Sequence, residues 1–239
     1  MRLSILWVFR YSAADPFMFI PLKDLNPSRR YPFVNITLIL ANVAAFIYQL
    51  DLQFSLTPKA YSLFITSYST VPARFPAFLT GRASFEAAFL PLFTSMFLHS
   101  GFLHIAGNML FLWIFGDNVE DFFGHITYLL FYLVCGIGAG LVHSFFNLYS
   151  HVPALGASGA ISGIMGAYIL LYPRARVLTL VFVFLLPIPA VIVLGEWFLM
   201  QFLTGLNALG GGGAGGVAWT AHIGGFILGM LITLVVKRL

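Results

Sequence analysis

The sequence predicts an all-α polytopic membrane protein, in which several apolar helices form one bundle. Of its 239 residues, 60% are hydrophobic and 8% are charged, whereas about 25% of the residues in a typical soluble domain are charged. A soluble protein of this length could not cover its surface with so few charges. The chain also contains six apolar segments that approach the ~20 residues a helix needs to cross the hydrocarbon core of a bilayer.

Six transmembrane helices follow from the positions of these segments, which are residues 33–50, 102–116, 123–145, 157–172, 178–204 and 217–236. The second and fourth are short, and we expect apolar residues before each of them to extend the helix. The fifth contains Pro187 and Pro189, which predict a kink or an interfacial piece before the true span. We therefore divide the chain into a lead-in over residues 1–32 and a six-helix membrane domain over residues 33–239.

The basic residues predict which way the bundle faces. Nine of the 12 lysines and arginines lie before the first span, after the fourth or after the sixth, and the other three lie in the loop over residues 51–101. Because loops rich in lysine and arginine stay on the cytoplasmic side, both termini are expected in the cytoplasm, with a cytoplasmic or interfacial lead-in, and the protein in a plasma (inner) membrane. The short basic groups form no nucleic-acid patch, so the lipid bilayer and membrane proteins are the expected partners.

Two long connections are expected on the outer side. The loop over residues 51–101 is rich in apolar and aromatic residues. A structureless loop of that length is uncommon, so this one is predicted to lie in or on the outer leaflet. Between the fifth and sixth spans, the glycines within residues 210–216 predict a flexible loop without charge.

Uncommon polar residues lie at one similar depth in three of these helices. Ser158 opens the fourth span, His222 lies near the start of the sixth, and the outer part of the second contains His104 and Asn108. Polar side chains are costly inside a membrane and are therefore candidates for function. A serine and a histidine are the minimal pair for nucleophilic catalysis, in which the imidazole accepts the hydroxyl proton. No membrane-embedded aspartate is placed to orient the histidine, so a dyad rather than a triad is predicted.

Small residues predict how these helices pack. Gly159 follows Ser158 at the start of the fourth helix, and Gly225 and Gly229 are four residues apart on the sixth. Glycine lets membrane helices approach closely, and His222 shares a face with both glycines of the sixth helix. Packing of the two faces would bring His222 towards Ser158. Ordinary helix packing explains the glycines equally well, but it does not explain the imidazole.

His104 and Asn108 are four residues apart and share one face of the second helix. Their N–H groups, together with the backbone N–H of Ser158 at a helix N-terminus, are suited to stabilising an oxyanion. A metal site formed by His99, His104 and His222 is the competing interpretation. No carboxylate or thiol lies at that depth to join the histidines, so no metal and no cofactor are expected.

These motifs resemble the rhomboid family of intramembrane serine proteases, which are six-transmembrane-helix bundles. The resemblance rests on four pieces of sequence in the family's order, which are residues 99–108 with His104 and Asn108, the set Gly116, Glu120 and Gly124 at spacings of four, residues 156–159 around Ser158, and residues 221–225 around His222. Each piece alone is a weak signal, whereas the four together are specific.

The resemblance implies a role for each of these residues. Ser158 would be the nucleophile, and His222 would be the general base and then the acid that protonates the leaving amine. His104, Asn108 and the Ser158 backbone N–H would form the oxyanion hole. The structural positions would be Gly116, Glu120, Gly124, Gly156, Gly159, Gly225 and Gly229.

The resemblance also implies a substrate and a route to it. Transmembrane proteins would be cut near the outer membrane surface, the loop over residues 205–216 would cover the active site, and the fifth span would be a lateral gate. One departure concerns the first loop. Many family members have a Trp-Arg pair before the second span, where this chain has Leu90 and Pro91, so the anchoring of this loop is an open question.

Two other functions stay open on the sequence. A proteolytically inactive rhomboid-like protein would bind membrane clients without cleaving them, although such relatives usually lack the serine or the histidine. A transporter of protons or small solutes would use Glu196, the clearly intramembrane carboxylate, with the histidines. The sequence shows nothing that resembles the paired broken helices of inverted-repeat carriers, so proteolysis is the favoured interpretation.

Overall fold

The computed structural model describes residues 19–209 and 218–238, and its helices form a bundle with a small sheet at one end. The elements in chain order are β1 (Phe19–Asp24), α1 (Phe33–Ser55), α2 (Pro58–Tyr68), α3 (Arg74–Leu79), α4 (Phe85–Thr94), a 3₁₀ turn (Ser95–Phe97), α5 (Phe102–Phe123), α6 (His125–Phe146), α7 (Ser158–Leu171), β2 (Arg176–Val181), β3 (Phe184–Pro189), α8 (Ala190–Leu209) and α9 (Trp219–Val236). The first part of the lead-in, residues 1–18, and the glycine-rich loop over residues 210–216 lie outside the described residues. The predictions made for them stay predictions.

The long apolar helices of the bundle are its candidate membrane spans. Within residues 19–209 and 218–238, four helices (α1, α6, α8 and α9) are long and apolar enough to cross a bilayer. A fifth span is reached if α4, its 3₁₀ turn and α5 count as one segment bent by 78°. α7 is apolar but has only 14 residues, roughly 21 Å at ~1.5 Å per residue. The all-α polytopic fold class is confirmed, and the count of six spans stays a prediction.

The predicted extension of the two short segments differs from the structure. α7 begins at Ser158, and the backbone over residues 147–157 is a loop, so the extension of the fourth segment is wrong. Gly156 has a φ of 126°, which is incompatible with a continuing helix. α5 begins at Phe102, and the helical residues before it turn away by 78°. The second segment is therefore extended by a bent element rather than by a straight helix.

A three-stranded antiparallel sheet in the order β1-β2-β3 lies at the end of the bundle where α7 ends; we call this the sheet end and the opposite one the serine end. The segment over residues 178–204 is divided, because β2 and β3 form a hairpin and α8 begins at Ala190. A separate piece before the true span agrees with the prediction made from Pro187 and Pro189, although its strand structure was not predicted. Proline lacks the N–H that a helix interior needs, but an edge strand such as β3 tolerates it.

α7 forms the core of the bundle. Its residues from Gly159 to Tyr168 are buried on every face, as expected for a helix that is apolar all round. Its most extensive packing is against α9. A Cβ atom added at Gly225 would overlap the main-chain oxygen of Gly159. The same holds for Gly229 and Gly163, so the two helices meet backbone to backbone.

The start of α1 is held by a buried carboxylate from α5. Glu120 is 1% exposed and accepts the backbone N–H groups of Val34 (3.0 Å) and Asn35 (2.7 Å). The first N–H groups of a helix lack partners within it and favour a negative group nearby. His125, at the start of α6, also bonds to Glu120. One side chain thus joins the ends of three helices.

Gly116 and Gly124 lie one turn on either side of Glu120, and the local geometry explains each of them. The Asn35 side chain lies so close to Gly116 that an added Cβ would overlap it, and Asn35 also accepts from the Tyr128 hydroxyl (2.8 Å). Gly124 has a φ of 76°, a left-handed conformation that glycine adopts freely, and it joins α5 directly to α6. The three residues at spacings of four therefore lie at one junction among α1, α5 and α6.

The described part of the lead-in is folded against the bundle. β1 pairs with β2, and Asp24 at its end accepts hydrogen bonds from Tyr168 Oη (2.6 Å) and Asn118 Nδ2 (2.9 Å). Burial raises the pKa of the Asp24 carboxyl, although the Tyr168 hydrogen bond acts in the opposite direction. From residue 19 onward, the lead-in belongs to the same hydrogen-bonded unit as α5 and α7.

The first loop contains three short helices, α2 to α4, and Arg74 links them. Its guanidinium donates to the main-chain oxygens of Thr66 (2.7 Å), Ser69 (3.4 Å) and Ala87 (3.4 Å). These acceptors belong to α2, to the residue after it and to α4. Residues 90–91 lie inside α4 and offer no charged group. An arginine at the start of α3 therefore joins α2, α3 and α4 through hydrogen bonds.

Candidate active site

Ser158 and His222 meet at the serine end of the bundle. The Oγ atom of Ser158 lies 2.7 Å from Nε2 of His222, within the usual range for a hydrogen bond. Ser158 is the first residue of α7, and His222 lies in the first turn of α9. The glycine-lined contact between these helices brings the two side chains together. A hydroxyl in such a contact can pass its proton to the imidazole.

The backbone before Ser158 makes a tight turn at Gly156. The φ of Gly156 is 126°, which glycine adopts without strain, and its N–H donates to the main-chain oxygen of Ser95 (2.8 Å). A Cβ atom at this position would lie 2.7 Å from ring atoms of His104. Both the turn and the close approach of the histidine therefore require glycine here.

His104 presents an N–H group to this turn. Its Nδ1 atom accepts the backbone N–H of Ser100 (3.3 Å) and lies 3.0 Å from the Ser100 hydroxyl oxygen. A backbone N–H can only donate, so in the neutral ring Nδ1 carries no proton and Nε2 carries it. The Nε2 edge of the ring is next to Gly156. His104 thus directs a donor towards the backbone that leads into Ser158.

Asn108 lies one turn after His104 on α5 and faces the same turn. Its side-chain nitrogen lies 3.5 Å from the position that a Cβ atom would take at Gly156. This nitrogen is buried and has no hydrogen-bond partner among residues 19–209 and 218–238. An unpaired buried donor typically costs about 1–3 kcal/mol, so the site is arranged to receive an acceptor.

Gln201 of α8 is a site residue that the sequence-based prediction did not include. Its Oε1 atom lies 2.8 Å from Nδ1 of His222, so the histidine has a partner on each ring nitrogen, and the predicted dyad gains a third side chain. Trp197, one turn earlier on α8, lies against the same ring with the centroids 5.8 Å apart. The available signal was the spacing, because Trp197 and Gln201 are four residues apart and therefore share one face of a mostly apolar helix.

Glu196 does not share the face of α8 that meets the histidine. It is partly exposed and precedes Trp197, so it is rotated by about 100° around the helix axis from that residue. The face that carries Trp197 and Gln201 contacts α9. The carboxylate that a transporter would need is therefore separated from the histidine that it would serve.

His99 is buried behind His104. The two rings meet edge to face with centroids 5.2 Å apart, and the Gln49 side chain of α1 bonds to both the N–H and the carbonyl oxygen of His99. Within the described parts of the chain, no three metal-ligating side chains form a group that could hold an ion. His99 thus contacts the back of the His104 ring and ties it to α1.

A small cavity adjoins Ser158. It has a volume of about 40 Å³ and lies between α6, α7 and the start of α9, where glycine and alanine form much of its wall. Polar side chains at this cavity come from Thr70, Ser95 and His143. One water needs roughly 10–15 Å³ of such volume and two to four polar partners. The cavity can therefore hold water next to the serine.

The fold and this site define an integral membrane protein with a serine and a histidine in contact at one end of an apolar bundle. The family model for the Rhomboid domain matches residues 86–239, which is more than half of the chain and includes Ser158, His222, His104, Asn108 and Gln201. The chain belongs to the rhomboid family, which is a family of intramembrane proteases.

Three relatives illustrate the match. Rhomboid protein 1, mitochondrial, from Saccharomyces cerevisiae is 32% identical over 142 residues, which are 57% of this chain and 39% of that protein. Rhomboid protease AarA from Providencia stuartii is 28% identical over 221 residues, which are 84% of this chain and 71% of that protein. Rhomboid protease GluP from Bacillus subtilis is 46% identical over 76 residues, which are 32% of this chain and 14% of that protein. The match thus spans less than half the length of the first and third relatives.

Proposed function

We propose that this protein is an intramembrane serine endopeptidase that cleaves transmembrane protein substrates through Ser158 and His222. The observation that carries the proposal is the 2.7 Å contact between Ser158 Oγ and His222 Nε2. Membership of a protease family supports it, as do two relatives whose names describe them as proteases.

The contact supports acyl transfer in two steps. In the first, the Ser158 hydroxyl proton passes to His222 Nε2 while Oγ attacks the carbonyl carbon of the scissile peptide. The C–N bond then breaks, and the imidazolium gives its proton to the leaving amine. In the second, His222 takes a proton from water, the hydroxide attacks the acyl ester, and the bond to Oγ breaks as the proton returns to it. The products are a carboxyl group, an amine and the original enzyme.

Three donors are suited to the negative oxygen that forms in both steps. They are the Nε2–H of His104, the Nδ2–H of Asn108 and the backbone N–H of Ser158, which belongs to the first turn of α7. Removal of one such donor typically lowers the rate by about 10²–10³-fold. A buried amide without an acceptor in the described residues fits this role, since the acceptor arises only in the reaction.

The second step needs water within an apolar bundle. The cavity of about 40 Å³ next to Ser158 is large enough for more than one water, at roughly 10–15 Å³ for each. Its polar rim provides hydrogen-bond partners. We assign it as the store for the water that hydrolyses the acyl ester.

The proposed substrates are cut near the outer membrane surface. Lys23, Arg176 and Lys237 lie at the sheet end, opposite the serine end, and basic residues favour the cytoplasmic side. This distribution supports cytoplasmic termini and an outward-facing site in a plasma (inner) membrane. Because relatives from yeast and Arabidopsis thaliana carry mitochondrial names, membrane fractionation is the test of the location.

The function is tested by comparing the wild type with Ser158→Ala and His222→Ala. A fluorophosphonate probe, which reacts with activated serines, should label the wild type and neither variant in detergent. In proteoliposomes, either substitution should lower kcat for a transmembrane substrate by on the order of 10⁴–10⁶-fold, with no change in the thermal unfolding midpoint. Cleavage by Ser158→Ala at the wild-type rate would contradict the proposal.

The client-binding alternative predicts a different outcome of the same experiment. A folded wild type that is neither labelled nor active, and that retains uncleaved membrane proteins as well as Ser158→Ala does, would identify an inactive rhomboid-like protein. Solute or proton flux that disappears in Glu196→Gln would identify a transporter instead.

A further inference from the structure

α8 contacts the start of α9 through one face. Trp197, Gln201 and Gly205 are four residues apart, so they lie on one side of the helix. Trp197 packs against the His222 ring with the centroids 5.8 Å apart. Gly205 lies against Trp219, where an added Cβ would come within 2.5–2.8 Å of the indole ring. Gln201 lies between these two contacts and bonds to His222.

The acceptor on Gln201 determines which nitrogen of His222 carries the proton. Oε1 of Gln201 lies 2.8 Å from Nδ1, and a carbonyl oxygen can only accept. Nδ1 must therefore carry the proton in the neutral ring, which leaves the lone pair of Nε2 directed at the Ser158 hydroxyl 2.7 Å away. The other tautomer has no lone pair at Nε2 and cannot take the serine proton.

We propose that Gln201 is the positioning residue of this active site, and that it holds His222 in the tautomer that acts as a base. The inference rests on the proposed protease function and adds a condition to it. Because the residue that selects the tautomer belongs to α8, the base is competent only while α8 is packed against α9. If α8 moved away from α9, the His222 ring would no longer be held in this orientation or in this tautomer.

An amide suits this position better than a carboxylate. A charged group inside a membrane protein carries a large desolvation penalty unless it is paired. The glutamine oxygen accepts the same hydrogen bond without that penalty. The neighbouring positions on this face of α8 are occupied by tryptophan and glycine, so the acceptor for His222 has to come from the residue between them.

Three variants of the full chain separate this role from a purely structural one. Gln201→Leu removes the acceptor at similar size, and Gln201→Glu keeps an acceptor oxygen. Thr204→Val is the matched control on the same helix, because the Thr204 hydroxyl donates to the main-chain oxygen of Met200 within α8. The measurements are kcat and KM for a transmembrane substrate, the rate of fluorophosphonate labelling and the thermal unfolding midpoint.

Gln201→Leu should lower kcat and the labelling rate together, with KM unchanged. We expect a loss of about 10–100-fold, since general base catalysis as a whole typically contributes about 10²–10⁴-fold and the imidazole itself is still present. Gln201→Glu should restore part of the lost rate, because a carboxyl oxygen can accept the Nδ1–H although burial of its charge is costly. Thr204→Val should match the wild type in all four measurements.

The proposed dependence of His222 on the packing of α8 against α9 is tested with a second substitution. Gly205→Ala pushes α8 away from Trp219 and should lower the labelling rate. It should add little to the loss in Gln201→Leu, because both substitutions remove the same hydrogen bond and the effects of coupled residues are not additive. Losses that multiply in the double variant would overturn the dependence on packing.

The possible failures are distinguishable. If Gln201→Leu keeps the wild-type kcat and labelling rate while Ser158→Ala and His222→Ala are inactive, the inference is wrong and the protease function stands. If Ser158→Ala cleaves substrate normally, the protease function is wrong and the inference falls with it. A loss in Gln201→Leu that Gln201→Glu does not restore, together with a lower thermal midpoint, would assign Gln201 a structural role alone.

Discussion

The sheet end and the serine end of the bundle both bury amide side chains, but they satisfy them differently. Asn118 at the sheet end is 2% exposed, donates to Asp24 (2.9 Å) and accepts from Asn26 (2.7 Å). Asn108 at the serine end is 8% exposed, and its nitrogen has no partner among residues 19–209 and 218–238. The two asparagines lie on the same helix, ten residues apart.

Under the proposed function, this difference separates an asparagine that holds the fold from one that contributes to the chemistry. Native proteins pair nearly all of their buried polar groups, so a buried donor without a partner lowers stability and calls for an explanation. Burial alone does not distinguish the two asparagines. Their hydrogen bonds do distinguish them, because Asn118 is paired whereas the nitrogen of Asn108 has no partner in the described residues.

The largest effect is expected on the activity of a variant at Asn108. Asn108→Leu should lower kcat by about 10²–10³-fold, as the loss of an oxyanion donor typically does. The thermal unfolding midpoint should stay level or rise, because the substitution removes an unpaired buried donor. Substrate cleavage in proteoliposomes and thermal unfolding in detergent check the two parts.

Asn118→Leu is the matched control for this variant, since it changes the same residue type on the same helix. It should lower the thermal midpoint, because Asp24 and Asn26 lose their partner. If Asn108→Leu were instead the less stable of the two and remained fully active, the distinction between the two ends would be wrong.

A smaller effect is expected from a substitution of Glu120, which should lower the stability of the fold and leave the activity unchanged. Glu120→Gln replaces one of the two oxygens that accept the first N–H groups of α1 with a donor. The free energy of unfolding should fall by about 1.5–3 kcal/mol, the usual value for hydrogen bonds to a charged group. Fluorophosphonate labelling per folded molecule should not change. Glu86→Gln, at an exposed acid in the first turn of α4, is the control: it should lower the free energy of unfolding less, by about 0.3–1 kcal/mol, and leave the labelling unchanged.

The smallest effect is expected from Arg74, which lies outside both ends. Arg74→Lys keeps the charge but loses the planar fork that reaches several carbonyl oxygens. The free energy of unfolding should fall by about 0.5–1.5 kcal/mol, within the range of single hydrogen bonds. Arg82→Lys, at an exposed arginine, should change it less. Equal losses in the two variants would show that Arg74 does not anchor the first loop.

Apolar runs were sufficient to predict the long helices but neither the short helices α2 to α4 nor the sheet. The starts of α1 and α5 agree with the predicted segments, because hydropathy marks where a helix enters an apolar medium. The hairpin over residues 176–189 is equally apolar, so it merged with the fifth segment. Pro187 and Pro189 indicated a separate piece before the true span, but not that it forms strands, because β2 also pairs with β1, more than 150 residues earlier in the chain.

Site residues whose chemistry requires a particular residue type were predictable from the sequence. Site residues whose role depends on how the helices pack were less predictable. Serine alone is common in membrane helices, but a histidine there is rare, so the pair of Ser158 and His222 at one similar depth was recognisable from the sequence. The structure brings the two residues into contact. Gln201 acquires its importance only from the way α8 lies against α9. The tautomer of His104 likewise depends on the backbone of Ser100, which a sequence motif does not describe.

The pairing of β1 with β2 sets an order of events during biosynthesis. Phe19–Asp24 is synthesised before α1, yet its partner Arg176–Val181 follows α7. Contacts between distant segments form late because the intervening chain must first be organised. An early strand with unpaired edges therefore stays unpaired while α1 to α7 are synthesised. The sheet can form only after the serine helix α7 and the strand that follows it have been made.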